Sequence, residues 1–414
     1  MPGKVNEAAR SRLDGRLRLP VLSGVLATAS HVRPGWDVVW LSDIPWGSLW
    51  QRPQQLATRF PADSRILFVE PWTLGHSPAL RPAAVTERIS RVSFPFLPLH
   101  ARSLVQRRIA YRIGDSALGA GALFAFQRAW ARTLRGFGRP GARRLALVQN
   151  FLARPSLGAF GPQRTVYDMI DAPLHFAPVP PRLVPQWEGL LREADEVIVT
   201  SAPLASLAIA GGAGDPRVIG NGVEVARFQA AAPARDLPGD PTAPVLGYVG
   251  SLHSWFDVSL VRALARALPR ARVVLVGPAH PATREDLERA QAGSPNLFWL
   301  GPKPYSEVPS IVRAFRAGLI PFRRTPLTEA VNPVKLYEYA AAGVPCVTTR
   351  FTDEVRAWGG AARVADSEQE FIAACSALAS GARADPAPLV AFARLHDWNE
   401  IGARYVGLCL EDAA

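Results

Sequence analysis

At 414 residues the chain exceeds the usual size of one domain, so two domains are expected. With 48% hydrophobic and 20% charged residues it is not disordered, and no run reaches the roughly 18 apolar residues needed to span a bilayer. A formal charge of +12 suits an anionic partner; no nucleic-acid-binding motif accompanies it, which leaves an anionic membrane surface or anionic small molecules and excludes nucleic acid.

Residues 1–35 form an N-terminal extension. Its stretch 19–30 has the apolar core and small-residue ending of a signal peptide, but Glu7 and Asp14 spoil the positive leader, so secretion is not expected. Beyond it, apolar runs of strand length alternate with helical patterns, as in parallel sheets wrapped by helices. Strands are predicted at 38–41, 65–69, 145–148, 165–167 and 196–200, with a helix over 187–195. The segment after the first strand holds Trp46 and Trp50, whose flat faces suit a core or a sugar ring, and Arg52, a planar cation suited to an anionic group. The strand at 165–167 runs out into Asp168 and Asp171, carboxylates that cap turns or act as bases.

Between positions 101 and 144 lie ten arginines (Arg102, Arg107, Arg108, Arg112, Arg128, Arg132, Arg135, Arg139, Arg143 and Arg144) and one acid, Asp115, interleaved with large apolar residues. The pattern reads as a basic amphipathic helix pair, either lying against anionic lipid head groups or presenting a solvated face above a core stripe.

Residues 230–243, rich in Ala, Pro, Gly and Asp, read as an interdomain linker. Strands restart at 245–249, 273–276, 297–300 and 318–321, with helices over 258–268 and 308–315. The first of these strands leaves through Gly250 and Ser251 to His253, a turn suited to backbone approach to a phosphate or to simple reversal; His253 either neutralises charge there or serves as a turn residue. Tyr305 follows the strand at 297–300 and suits stacking or strand-end packing. Cys346, Cys375 and Cys409, odd in number and set in apolar sequence, read as buried free thiols of a reducing compartment.

Segment 332–347 is the most informative. Lys335 and Glu338 share a helical face, Pro333 fits a first turn, and Gly343 is placed to end the helix before a strand. Only Lys4, Lys303 and Lys335 are lysines, against 44 arginines. A chain so biased would supply Arg at an indifferent position, so Lys335 points to a compact ammonium for a phosphate; the alternative is an ordinary surface ion pair with Glu338.

The phrase Pro333-Val-Lys-Leu-Tyr-Glu-Tyr-Ala-Ala-Ala-Gly343 resembles the donor-binding helix of GT-B glycosyltransferases (family 1/4-like), in the branch with teichuronic-acid-type and xanthan-type glucuronosyltransferases. The resemblance spans about residues 36 to 405. It implies an α/β fold of two Rossmann-like domains facing across a cleft, with a C-terminal helix crossing back to the first: 36–229 for the acceptor, 230–243 as linker, 244–384 for the nucleotide-sugar donor, and 385–414 as crossover. By the same resemblance Asn332 and Lys335 meet the donor diphosphate, Glu338 accepts from the ribose hydroxyls, Gly250, Ser251 and His253 face the diphosphate, and Tyr305 lies by the base. Trp46, Arg52 and Asp168 fall on the acceptor side, where Asp171 serves as the acceptor base. Many retaining members carry paired glutamates eight positions apart; the second matches Glu338, but position 330 is Ala and Glu329 is one residue early, so the retaining assignment does not carry over.

The expected activity is transfer of a sugar from a nucleotide diphosphate sugar to a hydroxyl of a lipid-linked or polysaccharide-precursor acceptor, in cell-envelope polysaccharide biosynthesis. A UDP-sugar, and among these a uronic acid, is the leading donor. No tightly bound cofactor and no metal are expected, because Lys335 and helix N–H groups can counter the leaving diphosphate. The expected location is cytoplasmic, peripheral at the inner face of the plasma membrane. The competing readings are a nucleotide-sugar epimerase of the same fold and a catalytically idle membrane-associated partner of polysaccharide assembly.

Overall fold

The computed structural model describes residues 35–47, 50–72, 78–97, 104–176, 178–381 and 385–411; the signal-like stretch 19–30 and Arg102 lie outside the described residues. Eight strands form the first sheet: β1 (Trp36–Leu41), β2 (Arg65–Pro71), β3 (Ala83–Ala84), β4 (Ile89–Phe94), β5 (Arg143–Val148), β6 (Arg164–Met169), β7 (Glu196–Val199) and β8 (Arg217–Val218). Their order is β3-β4-β2-β1-β5-β6-β7-β8, parallel except for the β3–β4 pair. β4 was not legible in the sequence because Ser90, Arg91 and Ser93 interrupt its apolar run. It is a strand because the edge of β2 satisfies its backbone, from Ile66↔Ile89 to Pro71↔Phe94.

The second sheet, wholly parallel, comprises β9 (Val245–Val249), β10 (Arg272–Val276), β11 (Leu297–Trp299), β12 (Ala317–Ile320), β13 (Cys346–Thr349) and β14 (Ala362–Ala365), in the order β11-β10-β9-β12-β13-β14. Burial on both faces explains why its central strands read as continuous apolar runs. The three cysteines are free and buried.

In both sheets the strand order reverses beside the first strand: β1 lies between β2 and β5, and β9 between β10 and β12. Ligands of open parallel sheets bind outside the strand carboxyl ends at such points. β9 and β12 pair only at Leu246 and Gly247, opposite Ala317 and Gly318. Beyond that, the Tyr339 hydroxyl bridges the strands, accepting from the Val249 N–H at 3.2 Å and donating to the Leu319 carbonyl at 3.2 Å. A side-chain hydroxyl thus replaces the ladder where the second crevice begins.

Ile219 packs in the first sheet's core and Val223 in the second's, so the chain crosses between them, ahead of the expected linker. Segment 230–243 is no free tether: Leu237 is buried in the second core, and Arg272 donates to the carbonyls of Leu237 at 3.1 Å and Ala243 at 2.9 Å. The return crossing runs beside the first, with Val223 N–H donating to His396 O at 2.9 Å and Trp398 N–H to Val223 O at 3.0 Å. Helix Trp398–Leu410 then buries Trp398, Ile401, Tyr405 and Cys409 against β1 residues Trp36, Val38 and Trp40, which completes the crossover back to the first sheet.

Arg52, expected to meet a substrate anion, is instead fully buried. Its Nη2 and Nε donate to Asp168 at 2.9 and 3.1 Å, its Nη1 donates to the Gly220 carbonyl at 2.9 Å, and the guanidinium lies 5.3 Å from the Tyr405 ring centroid. Gln149 donates to the second Asp168 oxygen at 2.9 Å and accepts from Trp40 at 3.0 Å. Asp168 is equally buried, so it supports the fold and cannot reach an acceptor. Breaking this pair leaves a charge buried without a partner: Arg52→Met is expected to cost about 3–5 kcal/mol in denaturant unfolding. Arg52→Met with Asp168→Leu should cost less than the two single changes summed; additive losses below about 1 kcal/mol would show that the pair does not tie the fold.

Candidate active site

The helix Val334–Ala341 follows Pro333, which is its extended N-cap and not its first helical residue. It ends in a Schellman motif: Gly343, at φ +69°, donates to Ala340 O at 2.9 Å, and Val344 N–H donates to Tyr339 O at 2.9 Å. Leu336, Tyr339, Ala340 and Ala341 bury one side in the second core, which holds the helix N-terminus toward the carboxyl edge of β9.

The Lys335 ammonium lies 5.4 Å from the Tyr248 ring centroid and 4.9 Å from that of Phe322. Burial lowers its pKa to about 8, against the opposing pull of Glu338. The side chain passes over Gly250, where an added Cβ would stand 3.0 Å from Lys335 Cε. Gly250 has φ +145° and Gly277 φ +141°, and a Cβ on Gly277 would come within 2.0 Å of the Gly250 carbonyl. The two loops therefore meet backbone to backbone, which only glycine permits. Gly250 N–H is committed to Val276 O at 2.9 Å, so this amide does not face a ligand as expected. The amides of Ser251, Val334 and Lys335 donate to no protein acceptor among the described residues. With the ammonium and the positive helix end they gather hydrogen-bond donors and positive charge, the chemistry that suits an anion.

Glu338, one turn further, is buried, and burial raises its pKa to about 7, with Lys335 opposing the rise and Glu224 adding to it. Among the described residues its carboxylate accepts no hydrogen bond, which leaves an acceptor-only group open to two hydroxyl donors. Tyr305 lies near both glutamates, but the Arg227 guanidinium, 4.7 Å from its centroid, covers one ring face.

Two expected donor-side residues have other work. The Asn332 side chain accepts from Asn221 N–H at 2.9 Å and donates to the Tyr337 hydroxyl at 2.9 Å, and its carbonyl accepts from Asn221 Nδ2 at 2.8 Å. It braces the helix against the first crossing and does not point its amide at a ligand. His253 stacks on Trp255 at 4.4 Å and lies 4.1 Å from His280. Burial, His280 and Arg107 lower its pKa to about 4, so it is neutral at pH 7 and supplies no cation to a diphosphate.

On the first sheet, Trp46 packs edge-on against Phe68 at 5.0 Å and Trp50 at 5.9 Å, its core role rather than an open platform. Asp171, just past β6, is half-buried and its pKa rises to about 6 through burial. Asp43, two residues past β1, was not singled out from the sequence. Water reaches it at the cleft edge, yet surrounding protein raises its pKa well above the usual range, reinforced by Asp171 and then Asp168. The available signal was its place beyond the first strand of a parallel sheet, next to the switch point. Since Asp168 is neutralised by Arg52, the carboxylates left open at this edge are Asp43 and Asp171. Among the described residues no cluster of three His, Cys, Asp or Glu could hold a metal ion.

Residues 243–380 match the family Glycosyl transferases group 1. TuaH of Bacillus subtilis (strain 168), assigned as a teichuronic acid biosynthesis glycosyltransferase, is 34% identical over 132 residues, 31% of this chain and 33% of that protein, so the match spans about a third of the relative's length. OtsA in its apo form superposes with a TM-score of 0.66 at 14% identity, over 92% of this chain and 100% of its own. Sucrose-phosphate synthase from Thermosynechococcus elongatus gives 0.64 at 15%, over 91% and 98%. HepE of Anabaena, in complex with UDP and glucose, gives 0.61 at 14%, over 90% and 98%. The fold is therefore GT-B, and the second sheet with its helices is the part of the chain that resembles group 1 glycosyltransferases.

Because the folded pKa of Glu338 lies above its unfolded value, the native state binds the extra proton, and stability is lost as pH rises from about 4.5 to about 7. Glu338→Gln removes that titration. Its melting temperature should exceed wild type by a few degrees at pH 8 and differ little at pH 5; a gain confined to pH 5 would contradict a desolvated carboxylate here.

Proposed function

We propose that the protein is a glycosyltransferase that moves a sugar from a nucleotide diphosphate sugar to a hydroxyl of a saccharide acceptor. The observation that carries this reading is the convergence of Lys335, the Ser251 amide and the first amides of helix Val334–Ala341 at the β9 switch point, with the unpaired Glu338 one turn beyond. That spacing matches a diphosphate followed by a ribose diol. The second sheet thus takes the donor and the first the acceptor. The group 1 domain match supports transfer over epimerisation or an idle partner role. TuaH's teichuronic acid biosynthesis supports a polysaccharide-precursor or lipid-linked acceptor, and in this reading a UDP-linked uronic acid is the leading donor.

In the transfer step the acceptor hydroxyl gives its proton to Asp171 as its oxygen bonds to the anomeric carbon. The bond from that carbon to the diphosphate oxygen breaks, and its electron pair leaves with the nucleotide. Lys335 and the three amides oppose the charge that grows on the leaving group. Asp43 lies near Asp171 and, by repulsion, keeps the pair from ionising together at low pH.

Lys335→Ala is expected to lower turnover, whereas Glu338→Ala should mainly raise the donor KM. Asp171→Asn should cut transfer about 100-fold while nucleotide binding, read as thermal stabilisation by UDP, is retained. Donor kcat/KM should rise as Asp171 and Glu338 ionise through pH about 6 to 7 and fall as Lys335 loses its proton near 8, giving a narrow maximum between. Wild-type kinetics in both Lys335→Ala and Glu338→Ala would place the donor elsewhere.

A further inference from the structure

Helix Leu104–Asp115 is packed inside out. Its buried positions are the small residues Ala110 and Gly114, the latter tight against Leu183 and Pro180, where a Cβ would stand 2.8 and 2.9 Å away. Its large apolar residues Val105, Ile109 and Ile113 face outward, Val105 at 65% and Ile109 at 54% exposure. Positions 105, 108, 109, 112 and 113 follow helical spacing, so Arg108 and Arg112, both exposed, share that outer face. The next helix, Ala117–Thr133, begins with Leu118 at 87% exposure and continues the pattern with exposed Phe126. These five residues are half of the large apolar side chains that the described chain exposes. A helix built only to cover a core would do the reverse, and contiguous exposed apolar surface marks an interaction site.

We propose that this face inserts Val105, Ile109, Ile113 and Leu118 into the interfacial layer of an anionic bilayer, with Arg108 and Arg112 on the lipid phosphates. Charge selects this occupant. A second copy of the chain, docked face to face, would set the arginines of one protomer against those of the other, whereas lipid head groups neutralise them. The apolar side chains add what charge alone lacks, since interfacial helices bind through buried apolar area together with electrostatic attraction. Arg107, on the same helix, lies close enough to His253 to oppose its protonation, so the membrane-facing helix also borders the cleft. A lipid-linked acceptor held in the bilayer would then enter beside the donor site. That last point rests on the proposed function; membrane insertion does not.

The test uses the full chain and vesicles of phosphatidylcholine alone or mixed with phosphatidylglycerol. Wild type should co-sediment with the anionic vesicles only and keep part of its binding in high salt. Arg108→Gln with Arg112→Gln should weaken binding about fivefold per arginine. Ile109→Ser with Ile113→Ser should weaken it at least about tenfold and abolish the salt-resistant part. Tryptophan placed by Ile109→Trp should shift its emission to the blue on anionic vesicles. Binding that ignores the serine pair, absence of binding, or self-association abolished by the serine pair without vesicle binding would each overturn insertion. Melting temperature and acceptor-independent nucleotide release should match wild type in every variant, because these positions lie outside the donor site. Vesicle binding without nucleotide release from any donor would instead refute the catalytic reading and leave insertion standing.

Discussion

A guanidinium withdrawn from water persists where acceptors fill its donors, and Arg52, the most deeply buried arginine among the described residues, meets that condition with a carboxylate and a carbonyl at one knot. Arg52 joins β6 through Asp168, the first crossing through Gly220 and the C-terminal helix through Tyr405, while Gln149, just past β5, carries the network to Trp40 of β1. The knot lies at the carboxyl ends of the first sheet, where the chain leaves for the second sheet and later returns. The two crossings run hydrogen-bonded side by side at Val223 and residues 396–398. Asn332 links the same region to the helix Val334–Ala341 through Asn221. Two cores that pack separately are thus registered by buried polar contacts, which fix geometry more than they add stability.

The candidate site has the opposite character. Lys335, Glu338 and Asp171 are crowded by protein, and burial moves the pKa of each toward its neutral form, while Asp43, which water reaches, is pushed the same way by desolvation and by Asp171. None has the close partner that Asp168 has in Arg52. Groups kept from their charged form by desolvation lower the stability of the protein, the usual conflict between stability and function. The outward apolar face of helix Leu104–Asp115 belongs to the same class, with surface left unpaid within the chain and placed beside the cleft.

Legibility followed the range of the interaction. Central strands, the helix at 334–341, its glycine stop and the shared face of Lys335 and Glu338 were set by local periodicity and end signals, so the sequence by itself determined the α/β class and the placement of Lys335 and Glu338 on one helix. Edge strand β4 was hidden because its ladder is supplied by β2 and not by its own composition. The burial of Arg52, the bracing role of Asn332, the neutral state of His253 and the raised pKa of Asp43 beside Asp171 depend on partners at distances of tens to hundreds of residues along the chain, and only the tertiary structure decided them. The physical reason is desolvation: residue type states what charge a side chain can carry, whereas packing states how much water it keeps and which partner replaces that water.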